Sequence, residues 1–141
     1  MINEKEIQMR VAELLTENGF NVVASEVDEG FSKPAVFVNV YPATVTLSGT
    51  AMEHVTDTVE IKYIPAVDTV EECAETAQRL RDIFMYKPFD IKDRHLTIQE
   101  IAFDIEKYIL YCLFDLDYYQ ETPNVYEECD KMNELVLGGD I

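Results

Sequence analysis

The chain has 141 residues, enough to bury a core as a single domain without disulfide staples. Apolar residues make up 48%, which excludes a mainly disordered chain, and a formal charge of −17 disfavours binding to phosphate backbones or anionic membrane surfaces. That charge is compatible with three situations: plain solubility, a position near nucleic acid without adhesion to it, or mimicry of nucleic acid.

No apolar run approaches the roughly 20 residues that span a bilayer. The N-terminus is charged from Asn3-Glu4-Lys5-Glu6 onward with no apolar signal core behind it, so a cytoplasmic location is expected. The cysteines Cys73, Cys112 and Cys129 are odd in number, and no two have C-x-x-C spacing. Neither a disulfide framework nor a zinc site is suggested, and the expected state is reduced thiols, at least two of them in the core.

The first segment is helical. Asn3 followed by Glu6 has the pattern of an N-cap with its capping box, Ile7, Val11, Leu14 and Leu15 share one face, and Asn18-Gly19 ends the run. A short candidate strand covers 20–27, with a turn at Asp28-Glu29-Gly30. Residues 35–47 form a second strand rich in Val, Thr and aromatics. Pro42 predicts an edge position or a bulge there, because proline cannot donate to a ladder.

The clearest strand is 53–64. Val55, Val59, Ile61 and Tyr63 alternate with polar residues, and Asp57 is the one break in the apolar face. A second helix is expected over 69–86, opened by Thr69 and Glu72 and carrying the stripe Val70, Cys73, Ala74, Ala77, Leu80, Phe84.

Two closing strands follow near 96–106 and 108–119, hinged at Glu106-Lys107. In the last, Leu110, Cys112, Phe114, Leu116 and Tyr118 share one face, while the other is apolar at Ile109, Tyr111 and Leu113 and turns acidic at Asp115 and Asp117. The tail, 120–141, is acidic, with a candidate short helix around 126–137. The whole reads as one α+β domain over 1–141, in the order α-β-β-β-α-β-β. It has a mostly antiparallel sheet of about five strands and two helices packed on one face.

Chemistry is hard to find. No G-x-G-x-x-G, G-x-x-x-x-G-K-[ST] or H-E-x-x-H occurs, so neither a nucleotide loop nor a zinc protease motif is visible, and no cofactor is expected. His54 and His95 stand alone and read as strand residues. Cys112 sits mid-strand on an apolar face, a poor place for an activated thiolate. Asp104, Glu106, Asp115 and Asp117 could meet on one sheet face and hold Mg²⁺ or Ca²⁺ for a metal-dependent hydrolase. The plainer reading of these acids is a solvated sheet face.

The tyrosines point elsewhere. Tyr108, Tyr111, Tyr118, Tyr119 and Tyr126 crowd the last two strands and the start of the tail, and tyrosine is enriched at protein interfaces. The last strand is apolar on both faces over 109–114. One face covers the domain's own core; a subunit contact or the tail folding back would cover the other. The candidate interface is Tyr108, Ile109, Tyr111, Leu113, Tyr118 and Tyr119.

Several segments in order resemble the tail terminator (tail completion) proteins of phages and prophages of Gram-positive bacteria. They are the hairpin segment Ser25–Pro42, the strand end Ile61-Lys-Tyr-Ile-Pro65 and the helix opening Glu71-Glu-Cys-Ala-Glu-Thr-Ala-Gln-Arg-Leu80, followed by two strands and an acidic tail. The Glu106-Lys107-Tyr108 turn departs from the glycine-containing turn common in that family. The resemblance implies a structural subunit with no catalytic residues, made in the bacterial cytoplasm and built into the virion tail. It implies a ring, commonly a hexamer, that caps the tail tube and offers the head-joining surface. Its partners would be copies of itself and the tail-tube and head–tail connector proteins. DNA would pass through the ring without binding. The competing reading from composition is an inhibitor that mimics nucleic acid.

Overall fold

The computed structural model describes residues 2–23 and 31–122. In chain order these form α1 (Glu4–Glu17), β1 (Ala35–Ser48), β2 (Met52–Ile64), α2 (Val70–Phe84), β3 (Phe89–Ile91), β4 (Arg94–Leu96), β5 (Ile101–Glu106) and β6 (Ile109–Glu121). Four strands make an antiparallel sheet in the order β1-β2-β6-β5, and β3 with β4 forms a separate small hairpin. The class is α+β, with α1 against β1 and α2 against β5 and β6.

Alternation dictates which sheet face the helices cover. Val55, Val59, Ile61 and Tyr63 of β2 lie beside Tyr118, Phe114, Cys112 and Leu110 of β6, and all are buried in one cluster with both helices. Each side chain so buried stabilises the fold by about 1.5–3 kcal/mol relative to exposure.

Helix α1 contributes Ile7, Val11 and Leu15, spaced four apart and each 0% exposed. Its first turn is capped as expected: the Asn3 side-chain oxygen accepts from the Glu6 amide at 2.9 Å. The Glu6 carboxylate reaches across to Lys92 at 2.5 Å, and that bond holds its carboxyl below the usual range. Gly19 ends the helix at φ +86, a conformation that suits glycine.

Helix α2 starts with Thr69 accepting from the Glu72 amide at 3.2 Å. The Glu72 carboxylate takes the Tyr63 hydroxyl at 2.8 Å and the Ala66 amide at 2.7 Å, tying the helix to the end of β2. The buried stripe is Cys73, Thr76, Leu80 and Phe84, whereas Val70 and Ala74 are exposed. Thr76 tolerates burial because its hydroxyl donates to the Glu72 carbonyl of its own helix at 2.9 Å.

β1 is an edge strand, and its register shifts between Pro42 and Thr44, as the proline predicts. Other expectations need adjusting. Of the candidate strand 20–27, the described part makes only an isolated parallel bridge between Val22 and Val36, and residues 24–27 lie outside the described residues. The β3–β4 hairpin was not expected, since strands of three residues leave too little periodicity to register. The tail helix at 126–137, Tyr126 and Cys129 also lie outside the described residues.

The break at Asp57 resolves in the core. Asp57 is 0% exposed and its Oδ2 accepts from the Tyr118 hydroxyl at 2.7 Å. Its Oδ1 has no hydrogen-bond partner among the described residues. Burial pushes this carboxyl up, the Tyr118 bond opposes that, and Glu4 nearby adds to it.

Candidate subunit interface

The same alternation sends Ile109, Tyr111, Leu113, Asp115, Asp117 and Tyr119 of β6 to the sheet face opposite the helices. On that face Tyr111 lies beside Lys62, Leu113 beside Glu60, Asp115 beside Thr58, Asp117 beside Thr56 and Tyr119 beside His54. From the other side β5 places Ala102 beside Leu113, Asp104 beside Tyr111 and Glu106 beside Ile109.

The face therefore has two ends. One is an apolar row of Ile109, Tyr111 and Leu113, all half-buried. The other is polar. Thr58 donates to Asp115 at 2.7 Å and Thr56 to Asp117, while the His54 ring stacks on Tyr119 with centroids 4.6 Å apart. His54 Nε2 stands 3.3 Å from Asp117. On the β1 side, Phe31 packs edge-on against Phe37 at 5.3 Å.

Five of the six candidate residues fall on or beside this face. Tyr108 sits in the two-residue turn between β5 and β6, exposed, with Lys107 at φ 50 and Tyr108 itself at φ 63. That turn fixes the register as Glu106 opposite Ile109. The Cys73 thiol donates to the Tyr108 carbonyl at 3.5 Å, anchoring the turn to α2. Tyr118 is the correction. It is one residue out of phase with Tyr119 and Asp117, so it faces the helices, 3% exposed, with its hydroxyl on Asp57.

The carboxylates do not converge as a metal centre. Asp104 pairs with Tyr111 while Asp115 pairs with Thr58, four residues farther along β6. Among the described residues no group of three His, Cys, Asp or Glu side chains is placed to hold a metal ion. Burial pushes the Cys112 thiol up to about 12, the opposite of an activated nucleophile. His95 lies on exposed β4 with Nδ1 2.5 Å from Asp90.

A family model described as phage tail terminator protein matches residues 6–128. The chain belongs to the phage tail terminator family. The match takes in the whole sheet, α2 and nearly all of α1. No curated protein matches the chain. As a tail terminator it has a structural role in tail completion, among other tail and head proteins of a phage, in a family of structural proteins rather than enzymes.

Two features escaped the sequence reading. One is the buried Asp57–Tyr118 pair, signalled by an aspartate on an apolar strand face and a tyrosine two pairs along the neighbouring strand. The other is the outer half of β1, where Tyr41, Val45 and Leu47 are exposed. Its signal was available: no charged residue occurs from Val40 to Met52, in a chain that is 28% charged.

Proposed function

We propose that this tail terminator works as a ring of copies of itself that caps the tail tube, stops its growth and presents the surface to which the head joins. The observation that supports this reading is the two-faced sheet. Helices cover one face, and the other carries Ile109, Tyr111 and Leu113 flanked by the exposed rings of Tyr108 and Tyr119. An apolar, tyrosine-bearing row is the composition of an interface centre. A ring uses two different patches on each subunit and closes through the rotation between them. The resemblance to tail terminators favours six subunits.

The charge of −17 fits a ring through which DNA passes without binding, because like charges repel. The same charge fits assembly in a cytoplasm crowded with nucleic acid. Imaging of particles assembled with and without the chain tests the reading. The chain should be found as a ring at the head-proximal end of the tail, and its removal should leave overgrown tubes and unjoined heads. Tubes of normal length already joined to heads without it would contradict the proposal.

A further inference from the structure

We infer that the outer half of the β1–β2 hairpin is a docking arm that seats on the Ile109–Leu113 row of a second copy of this chain. The inference rests on the ring reading above and names the second patch that such a contact needs.

The arm is unusual on three independent counts. First, it is exposed over Tyr41–Ala51, unlike the buried Ala35–Val38 that begins the same strand. Val45 pairs with Val55 on the helix-covered side, yet Val55 is 5% exposed and Val45 60%; Leu47 is 55% exposed. Neither α1 nor α2 buries these two side chains. Second, β1 is an edge strand, and among the described residues the bridge from Val22 meets it at Val36. Edge strands are ordinarily protected by charge, and β1 carries none. Third, the stretch from Val40 to Met52 lacks any charged side chain.

The third count identifies the occupant. Two copies that each carry −17 repel, so they meet at least cost where one of the two surfaces carries no charge. The β1 strand of the arm is such a surface, with Glu53 of β2 the acid beside Leu47. Its counterpart on the same chain is the row of Ile109, Tyr111 and Leu113, themselves uncharged but lying between Asp104 and Glu106 on β5 and Glu60 and Lys62 on β2, where an uncharged segment is accommodated and an acidic one is disfavoured. An arm and a row on different parts of the molecule make a head-to-tail contact, the kind that closes rings.

Sedimentation of Leu47→Asp and Leu113→Asp, each with circular dichroism to check the fold, tests the inference. Both variants should self-associate at least ten-fold more weakly than the parent. In a Cys129→Ser background, oxidised mixtures of Leu47→Cys with Leu113→Cys should give disulfide dimers that neither variant gives alone. If Leu113→Asp dissociates while Leu47→Asp assembles normally, the arm is wrong and the ring reading survives. Dimers from Leu47→Cys alone would mean arm-to-arm contact and would overturn the assigned partner row. A parent chain that stays monomeric at every concentration overturns the ring reading and the arm together.

Discussion

The hydroxyl of Tyr118 donates to Oδ2 of Asp57 at 2.7 Å inside the core, across the β2–β6 ladder. The two residues do not face each other directly; Asp57 pairs with Leu116 and Tyr118 with Val55, so the bond runs diagonally on the helix-covered face. Glu4 on α1 and Glu53 on β2 add negative potential, and both, after burial and Asp57 itself, push the Tyr118 hydroxyl up. Among the described residues no cation influences Asp57.

This pair makes stability depend on pH in a direction unusual for a carboxylate. Folded Asp57 holds its proton more tightly than the unfolded chain does. Its contribution is therefore complete below the ordinary value of 3.8 and is lost as pH rises through the folded value. Asp57→Asn should raise the thermal midpoint at neutral pH, by a margin that widens between pH 4 and 7. A margin that stays constant over that range would show that Asp57 does not titrate in this way.

Tyr118→Phe removes the donor and leaves both Asp57 oxygens unsatisfied. A loss of about 1–3 kcal/mol is expected in denaturant unfolding at neutral pH. Combined with Asp57→Asn the loss should shrink, and a double-mutant cycle measures the difference.

The β5–β6 turn carries Lys107 and Tyr108 at φ 50 and 63, where each non-glycine residue costs on the order of 1 kcal/mol. A two-residue hairpin with both φ positive favours Asn-Gly. Lys107→Asn with Tyr108→Gly should stabilise the monomer by about 1 kcal/mol or more in thermal unfolding, and should weaken self-association if the Tyr108 ring is part of the contact. The sequence-level expectation of a hinge at Glu106-Lys107 fits this geometry, although neither residue type announces such a turn.

Much of the fold was legible because its signals are periodic. Ile7, Val11 and Leu15 at helical spacing, and Val55 to Tyr63 at strand spacing, each state which face is buried. Pro42 announced an edge position or a bulge, and the structure shows both, since each tolerates a missing N–H. What was not legible depends on partners distant in sequence. Phe89–Ile91 and Arg94–Leu96 are too short to show a period. Tyr118 looked like interface by residue type, although its phase with Phe114 and Leu116 already placed it on the core face, where the structure buries it. The exposure of Val45 and Leu47 was hidden because a charge-free, valine- and threonine-rich strand does not say which of its apolar side chains α1 and α2 will cover.

The buried thiols give an independent check of the core. Cys112 and Cys73 are both 0% exposed, and burial raises both thiols. In a Cys129→Ser background, a thiol reagent at pH 8 should label neither until denaturant unfolds the chain. Rapid labelling of the native protein would contradict the packing of β6 against α2.

Contacts between copies made through uncharged surface should strengthen as salt screens the −17 of each subunit, because the Debye length falls from about 10 Å at 0.1 M to about 3 Å at 1 M. Association measured by light scattering should therefore increase with ionic strength. A decrease would point to salt bridges as the contact.

Sedimentation velocity over a wide concentration range, comparing the parent chain with Leu113→Asp, tests most directly whether the sheet face opposite α1 and α2 joins subunits. The expected result is a closed oligomer for the parent, and a monomer with unchanged circular dichroism for the variant. A parent and variant that sediment alike as monomers at every concentration would contradict it.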